Sequence, residues 1–132
     1  MIVLDASVVL ELLLGTPTGE QVERRIRREG LHAPHLLSVE VIHVLRRFVA
    51  ARDVLPAVAE AALRDLADLR IQRWSHEPLL DDVWARRANL TAYDAVYVAL
   101  ADRLQAPLLT TDARLRRGAP TSSRIEVVRT VR

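Results

Sequence analysis

Cysteine is absent from this sequence of 132 residues. That excludes a disulfide scaffold, a Cys-ligated zinc site, a redox dithiol and a thiol nucleophile. Lysine is absent too, so all 19 basic residues are arginines, set against 17 acidic ones for a net charge of +2. Such a small excess does not by itself argue for nucleic acid. Arginine's planar fork pairs bidentately with phosphate and carboxylate, so a phosphate-bearing partner fits, and so does a solvated arginine surface. Aromatic side chains are few and scattered, two Trp, two Tyr and one Phe, and read as core or interface and not as base-stacking platforms. No long apolar run exists: Ala95 to Ala101 falls far short of the roughly 20 residues a membrane helix needs. The opening Met1-Ile2-Val3-Leu4-Asp5 lacks the basic stretch of a secretory leader. What remains is a half-hydrophobic, 27% charged chain, expected to be a soluble, intracellular, single domain over residues 1–132.

Four glycines and six prolines punctuate alternating short strands and helices, with no repeat and no linker. Apolar β-branched runs predict buried strands at 2–4, 31–33, 70–74 and 107–110, and a closing strand at 125–131 whose arginines suit a sheet edge. Helices are predicted over 7–14, 18–29, 36–51, 54–69, 78–88 and 92–104, with Pro56 in a first turn. Strands alternating with helices imply an α/β fold, in which a mostly parallel sheet of about five strands lies between two helical layers. Ligands of such sheets collect beyond the carboxyl ends of the strands.

Four carboxylates fall at such places. Asp5 ends the first strand, Asp112 follows strand 107–110, Asp94 opens helix 92–104, and Glu40 lies early in helix 36–51 between Val39 and Val41. Each also has a structural role open to it. Asp5 and Asp112 suit helix N-caps, Thr91 and Asp94 the capping-box spacing, and Glu40 a first turn favoured by the helix dipole. Convergence shifts the balance toward function, because two strand ends and two helix starts would aim four carboxylates at one rim. Crowded like charges repel and lose solvation, so they persist only when protons or cations neutralise them. Hard divalent cations, Mg²⁺ or Mn²⁺, suit an all-oxygen set. Held by carboxylates, they activate water and steady a leaving oxygen, which points to phosphodiester hydrolysis. Removing Asp5 should then relieve repulsion and leave the fold intact.

Ile2-Val3-Leu4-Asp5-Ala6-Ser7, Ser38-Val39-Glu40-Val41, Thr91-Ala92-Tyr93-Asp94-Ala95 and Leu109-Thr110-Thr111-Asp112 stand in this order along the chain. The ordered set resembles the PIN-domain ribonucleases, specifically the VapC toxin type of the VapBC toxin–antitoxin systems, over the whole length. The resemblance implies a three-layer PIN-like domain and a metal-dependent endoribonuclease. Such an enzyme cleaves structured cellular RNA of the tRNA or rRNA type and so inhibits translation in the cytoplasm. It implies that Asp5, Glu40 and Asp94 form the core acidic triad, with Asp112 as a more variable fourth acid. Ser7 and Thr111 match polar positions beside the site, in contact with the acids or the substrate. The implied partners are an RNA substrate, a short VapB-type antitoxin that blocks the site, and a second copy in a homodimer. Operator DNA would be bound only through the antitoxin complex. Arg114, Arg116 and Arg117 follow Asp112 closely enough to hold flanking phosphates, or to be a solvated loop. His43 departs from the asparagine frequent in the family three residues after the glutamate, and is not assigned to the metal.

Other readings weigh less. A receiver-type signalling domain needs a lysine that this chain lacks, and a haloacid-dehalogenase-type phosphatase needs an aspartate where Ser7 stands. His32, His35, His43 and His76 show no metal-ligand spacing and read as structural or surface residues. Surplus apolar face on helices 36–51 and 54–69 reads as a dimer or antitoxin groove, or as an ordinary core pair. The alternative of another class is a non-catalytic protein that keeps the acidic pocket and works by binding a partner or promoter.

Overall fold

Ile2, Val3 and Leu4 are fully shielded from solvent, which fits a strand covered on both faces of a parallel sheet. In the computed structural model, which describes residues 1–120 and 122–131, this segment is β1 (Ile2–Leu4). It is followed by α1 (Ala6–Leu13), α2 (Pro17–Ile26), β2 (Leu31–Pro34), α3 (Leu36–Ala50), α4 (Pro56–Asp68) and β3 (Ile71–Trp74). A 3₁₀ turn at Glu77–Leu79 then leads into α5 (Leu80–Ala85), α6 (Ala92–Leu104), β4 (Leu108–Thr110), α7 (Arg114–Gly118) and β5 (Ile125–Val127).

The five strands are all parallel, in the order β3-β2-β1-β4-β5. The chain steps outward from β1 to β2 and β3, then crosses back to β4 and β5. With right-handed crossovers, α1 to α4 cover one face and α5 to α7 the other. Between β1 and β4 the order reverses, and the register pairs Val3 with Leu108 and Leu4 with Leu109. Asp5 and Thr110 therefore leave the sheet side by side at the point where such sheets open a crevice.

Local chemistry sets the element ends. Asp5 N-caps α1, and Gly15, at φ +64°, takes the left-handed turn behind α1. Thr16 caps α2, its hydroxyl accepting from Gly19 N–H at 2.9 Å. A Cβ on Gly19 would lie 2.1 Å from the Glu11 carbonyl oxygen, so glycine is what lets α2 lie against α1. The imidazole of His76 takes the N–H of Leu36 at 3.0 Å where α3 begins, and His32 accepts from the Trp74 indole at 3.0 Å. Both histidines are structural. Helix α6 is buried from Ala95 through Ala101 and packs across β1, β2 and β4.

Some boundaries differ from the pattern-based expectation. The predicted helix over 78–88 is a 3₁₀ turn followed by the short α5, which ends at Ala85. The strand expected over 125–131 stops at Val127, where β4 runs out of partners. Arg114–Gly118 forms α7, a single turn too short for periodicity to reveal. Among the described residues no helix is long and apolar enough to cross a membrane.

Candidate active site

Asp5 is the deepest of the acids, only 8% exposed. Its Oδ1 accepts from the backbone N–H of Ser7 at 3.0 Å and of Val8 at 3.3 Å, and from the Ser7 hydroxyl. The Thr110 hydroxyl donates to Oδ2. Ser7 Oγ in turn accepts from Thr111 N–H at 2.9 Å, and Thr110 Oγ1 from Asp112 N–H at 3.0 Å. Two hydroxyls thus tie the end of β1 to the turn after β4. Burial raises the Asp5 pKa even though these hydrogen bonds favour the charged form.

Glu40 projects from the second turn of α3. Burial raises its pKa, the charges of Asp5 and Asp94 add to the rise, and the nearby Tyr97 hydroxyl works against it. Tyr97 does not close a bond of acceptable geometry, however: Glu40 Oε1 and the Tyr97 hydroxyl are both buried without a hydrogen-bond partner among the described residues. An unpaired buried oxygen of this kind is uncommon in folded proteins and calls for an explanation. Asp94 lies in the first turn of α6, where its N–H donates to the Thr91 cap at 3.2 Å. Burial raises its pKa as well, with Asp112 pushing in the same direction.

Asp112 behaves differently. Arg114 grips it through Nε at 3.0 Å and Nη2 at 2.8 Å, and the Arg114 N–H donates to Oδ1 at 2.9 Å. That guanidinium holds the Asp112 pKa below the usual carboxylate range, against a smaller effect of burial.

All four carboxylates line one cavity of about 490 Å³, together with Ser7 and Thr111. Helix spacing builds the walls: α1 and its C-cap contribute Ser7, Leu10, Glu11 and Leu14, and α3 contributes Glu40, Val44, Arg47 and Phe48. Tyr97 lines it beside Asp94, from α6. The arginines after Asp112 are placed elsewhere. Arg114 is engaged with Asp112, Arg116 donates to the Ile125 carbonyl at 3.2 Å, and neither they nor Arg117 line the cavity. His43 is exposed and also lies outside it.

Three contributors were not evident from sequence. Thr110, and not Thr111, turns its hydroxyl on Asp5; extending the β1–β4 register by one residue would have chosen between them. Arg47 is the arginine of the cavity wall, seven residues after Glu40 and so on the same helical stripe. Tyr97 faces the acids although it is almost fully buried. Two other aromatics lie outside the core: Trp84 and Tyr93 are each about two-thirds exposed, and Arg87 stacks on the Trp84 ring at 4.5 Å.

The PIN-domain family model matches residues 2–119. Ribonuclease VapC1 of Mycobacterium tuberculosis is 42% identical over 129 residues, spanning 96% of this chain and 97% of that protein. The chain belongs to the PIN-domain family, VapC type. Solved structures agree on the fold of this VapC-type protein. PAE2754 from Pyrobaculum aerophilum superposes with a TM-score of 0.69 at 23% identity, covering 94% of this chain and 82% of that one. A chain of VapBC2 from Rickettsia felis, bound to a DNA fragment from its promoter, superposes at 0.64 with 10% identity over 96% and 98%.

The acids of this VapC-type domain can be weighed as ligands from their chemistry. Among the described residues no three His, Asp or Glu side chains are drawn together into a ready-made cation cage. What the cavity offers is hard oxygen donors, three of them with raised pKa, and one buried carboxylate oxygen with nothing bonded to it. Such a set suits Mg²⁺ or Mn²⁺ and not a thiophilic metal.

Proposed function

We propose that this VapC-type protein is an endoribonuclease dependent on Mg²⁺ or Mn²⁺. Asp5, Glu40 and Asp94 hold the cation, and Asp112 is the adjustable fourth acid. One observation carries the reading: Glu40 Oε1 is buried, unpartnered and faced by the charges of Asp5 and Asp94. A lone buried carboxylate oxygen among like charges is costly unless a proton or cation comes to it. When bound, the cation polarises a phosphodiester oxygen and lowers the pKa of a coordinated water.

The chain's own residues supply the remainder. The Ser7 and Thr110 hydroxyls and two backbone N–H groups fix Asp5 in one orientation, as residues behind a metal ligand commonly do. Burial raises the pKa of Glu40 and Asp94, so a cation between them offsets the cost of keeping both ionised, and a carboxylate not engaged by the cation accepts the proton of the attacking water. Arg114 masks Asp112 until another partner competes for that guanidinium.

By kinship with VapC proteins, the substrate is structured cellular RNA of the tRNA or rRNA type, and its cleavage in the cytoplasm stops translation. A VapB-type antitoxin covers the site, the protein forms a homodimer, and operator DNA is met only through the antitoxin complex. The VapBC structure among the fold neighbours supports the antitoxin. So do the exposed Val39, Ile42, Leu55 and Val58 on α3 and around α4, beside a groove lined by Ile42, Leu45, Val49 and Leu63. The decisive test is RNA cleavage by the purified protein in Mn²⁺ and in EDTA, alongside Asp94→Asn. Cleavage is expected only for the wild type with cation. Equal cleavage in EDTA or by the variant would overturn the reading and leave a protein that acts by binding alone.

A further inference from the structure

The cavity extends beyond its acids. From Glu40 to Arg47 on α3, and from Ser7 on α1 to its C-cap Leu14, are seven residues each, so both walls continue for roughly 10 Å. Along that extension the lining changes character, to Leu10, Leu14, Val44 and Phe48 with Arg47 among them. Phe48 is the chain's one phenylalanine. It is half-buried, yet it does not belong to the packed core or to the apolar residues supporting it. Arg47 is exposed and makes no ion pair or side-chain hydrogen bond among the described residues, in a cavity that holds five acids. Across from it, Glu11 is occupied by the Thr16 hydroxyl.

We infer that this trough between α1 and α3 is a subsite for the single-stranded nucleotide next to the cleaved phosphate, with its base on Phe48 and its phosphate on Arg47. The inference rests on the ribonuclease reading and adds a place for the substrate. An RNA strand alternates a flat apolar base with an anion. An aromatic ring and an unpaired guanidinium on neighbouring residues, open to the acids, match one such repeat. Arg114 and Arg116 cannot serve in the same way while they are held by Asp112 and by the Ile125 carbonyl, and Arg117 does not line the cavity. A peptide segment with a carboxylate for Arg47 is the competing occupant, but it does not repeat a flat base and an anion in alternation as the strand does.

The test uses the full chain in Mn²⁺ with a fluorescent RNA oligonucleotide substrate, comparing the wild type with Arg47→Gln, Phe48→Leu and Arg46→Gln. Arg46 faces the α3–α4 groove and not the cavity. Arg47→Gln should raise KM about tenfold with kcat within about twofold, and lower the salt slope of RNA binding by about one. Phe48→Leu should raise KM with an unchanged salt slope, and Arg46→Gln should change neither. If the wild type cleaves and both cavity variants keep its KM, the subsite is overturned and the ribonuclease reading stands. An equal KM rise in Arg46→Gln would also overturn it, since general charge would then be the cause. If the wild type cleaves nothing, it is the ribonuclease reading that falls. Binding of the same oligonucleotide to Asp94→Asn, followed by anisotropy, still decides the subsite: loss of affinity on adding Arg47→Gln upholds it, and unchanged affinity ends it.

Discussion

Asp112 and Asp94 line the same cavity but live in opposite electrostatic worlds. Asp94 and Glu40 are pushed toward protonation by burial and by acidic neighbours, and Asp5 by burial alone. Asp112 sits at the rim, where a solvent-exposed Arg114 neutralises it and keeps it ionised. The inner acids are short of positive charge and the outer one already has some. Only the inner group therefore has a strong reason to recruit a cation, and the outer acid can change partners at little cost.

That contrast can be broken most directly by activity. Asp94→Asn should lower RNA cleavage by about 10²- to 10⁴-fold, whereas Asp112→Asn should stay within about tenfold of wild type. Equal losses would show that the four acids act as one set. Next in size is Thr110→Val, which keeps the side-chain shape and removes the hydroxyl on Asp5. A 10- to 100-fold loss of activity or cation affinity is expected, as for other groups that orient a metal ligand. The melting temperature should also fall, by the equivalent of about 1–3 kcal/mol, since the Asp112 N–H loses its acceptor.

The third contrast is thermal stability against pH without divalent cation. Asp5, Glu40 and Asp94 have folded pKa values above their ordinary ones. Their contribution is fully present below the ordinary carboxylate range and is lost as pH rises through the elevated values. Asp112 has the opposite sign: its contribution is present above that range and is lost as pH falls through its depressed value. Scanning calorimetry in EDTA should find the melting temperature declining as pH climbs toward neutrality, with Asp94→Asn flattening the decline and Mn²⁺ abolishing it. The smallest effect is expected from Arg114→Gln. Its ion pair is largely exposed, so the melting temperature should scarcely move while the Asp112 pKa rises toward its ordinary value, measurable by NMR titration.

Much of this was legible because the acids sit where local rules place them, at strand ends and helix starts. The β1 run and the apolar spacing of α3 are strong enough to fix those elements without tertiary information. What could not be read was contact across sequence distance. The bond from Thr110 to Asp5 spans 105 residues and depends on strand register, which no local pattern encodes. Arg114 looked free for phosphate because its nearest use, two residues back on Asp112, requires the turn of α7. Repulsion among the acids suggested that Asp5 could be removed without harm to the fold. The structure corrects this: Asp5 also caps α1 and anchors two hydroxyls. Asp5→Ala therefore gives up a cap worth about 1 kcal/mol, and Asp5→Asn is the cleaner substitution.

The position of β1 has a consequence for biosynthesis. Of the five strands of the sheet the first to be made is the middle one, and its neighbour β4 is made about a hundred residues later. A nascent chain that stops short of that neighbour has Asp5 but neither the hydroxyl that steadies it nor the opposite lip of the cleft. Slow, long-range pairing of this kind is ordinarily a kinetic burden. The cleft that holds the four acids is therefore closed only after β4 has been made and has found its place beside β1.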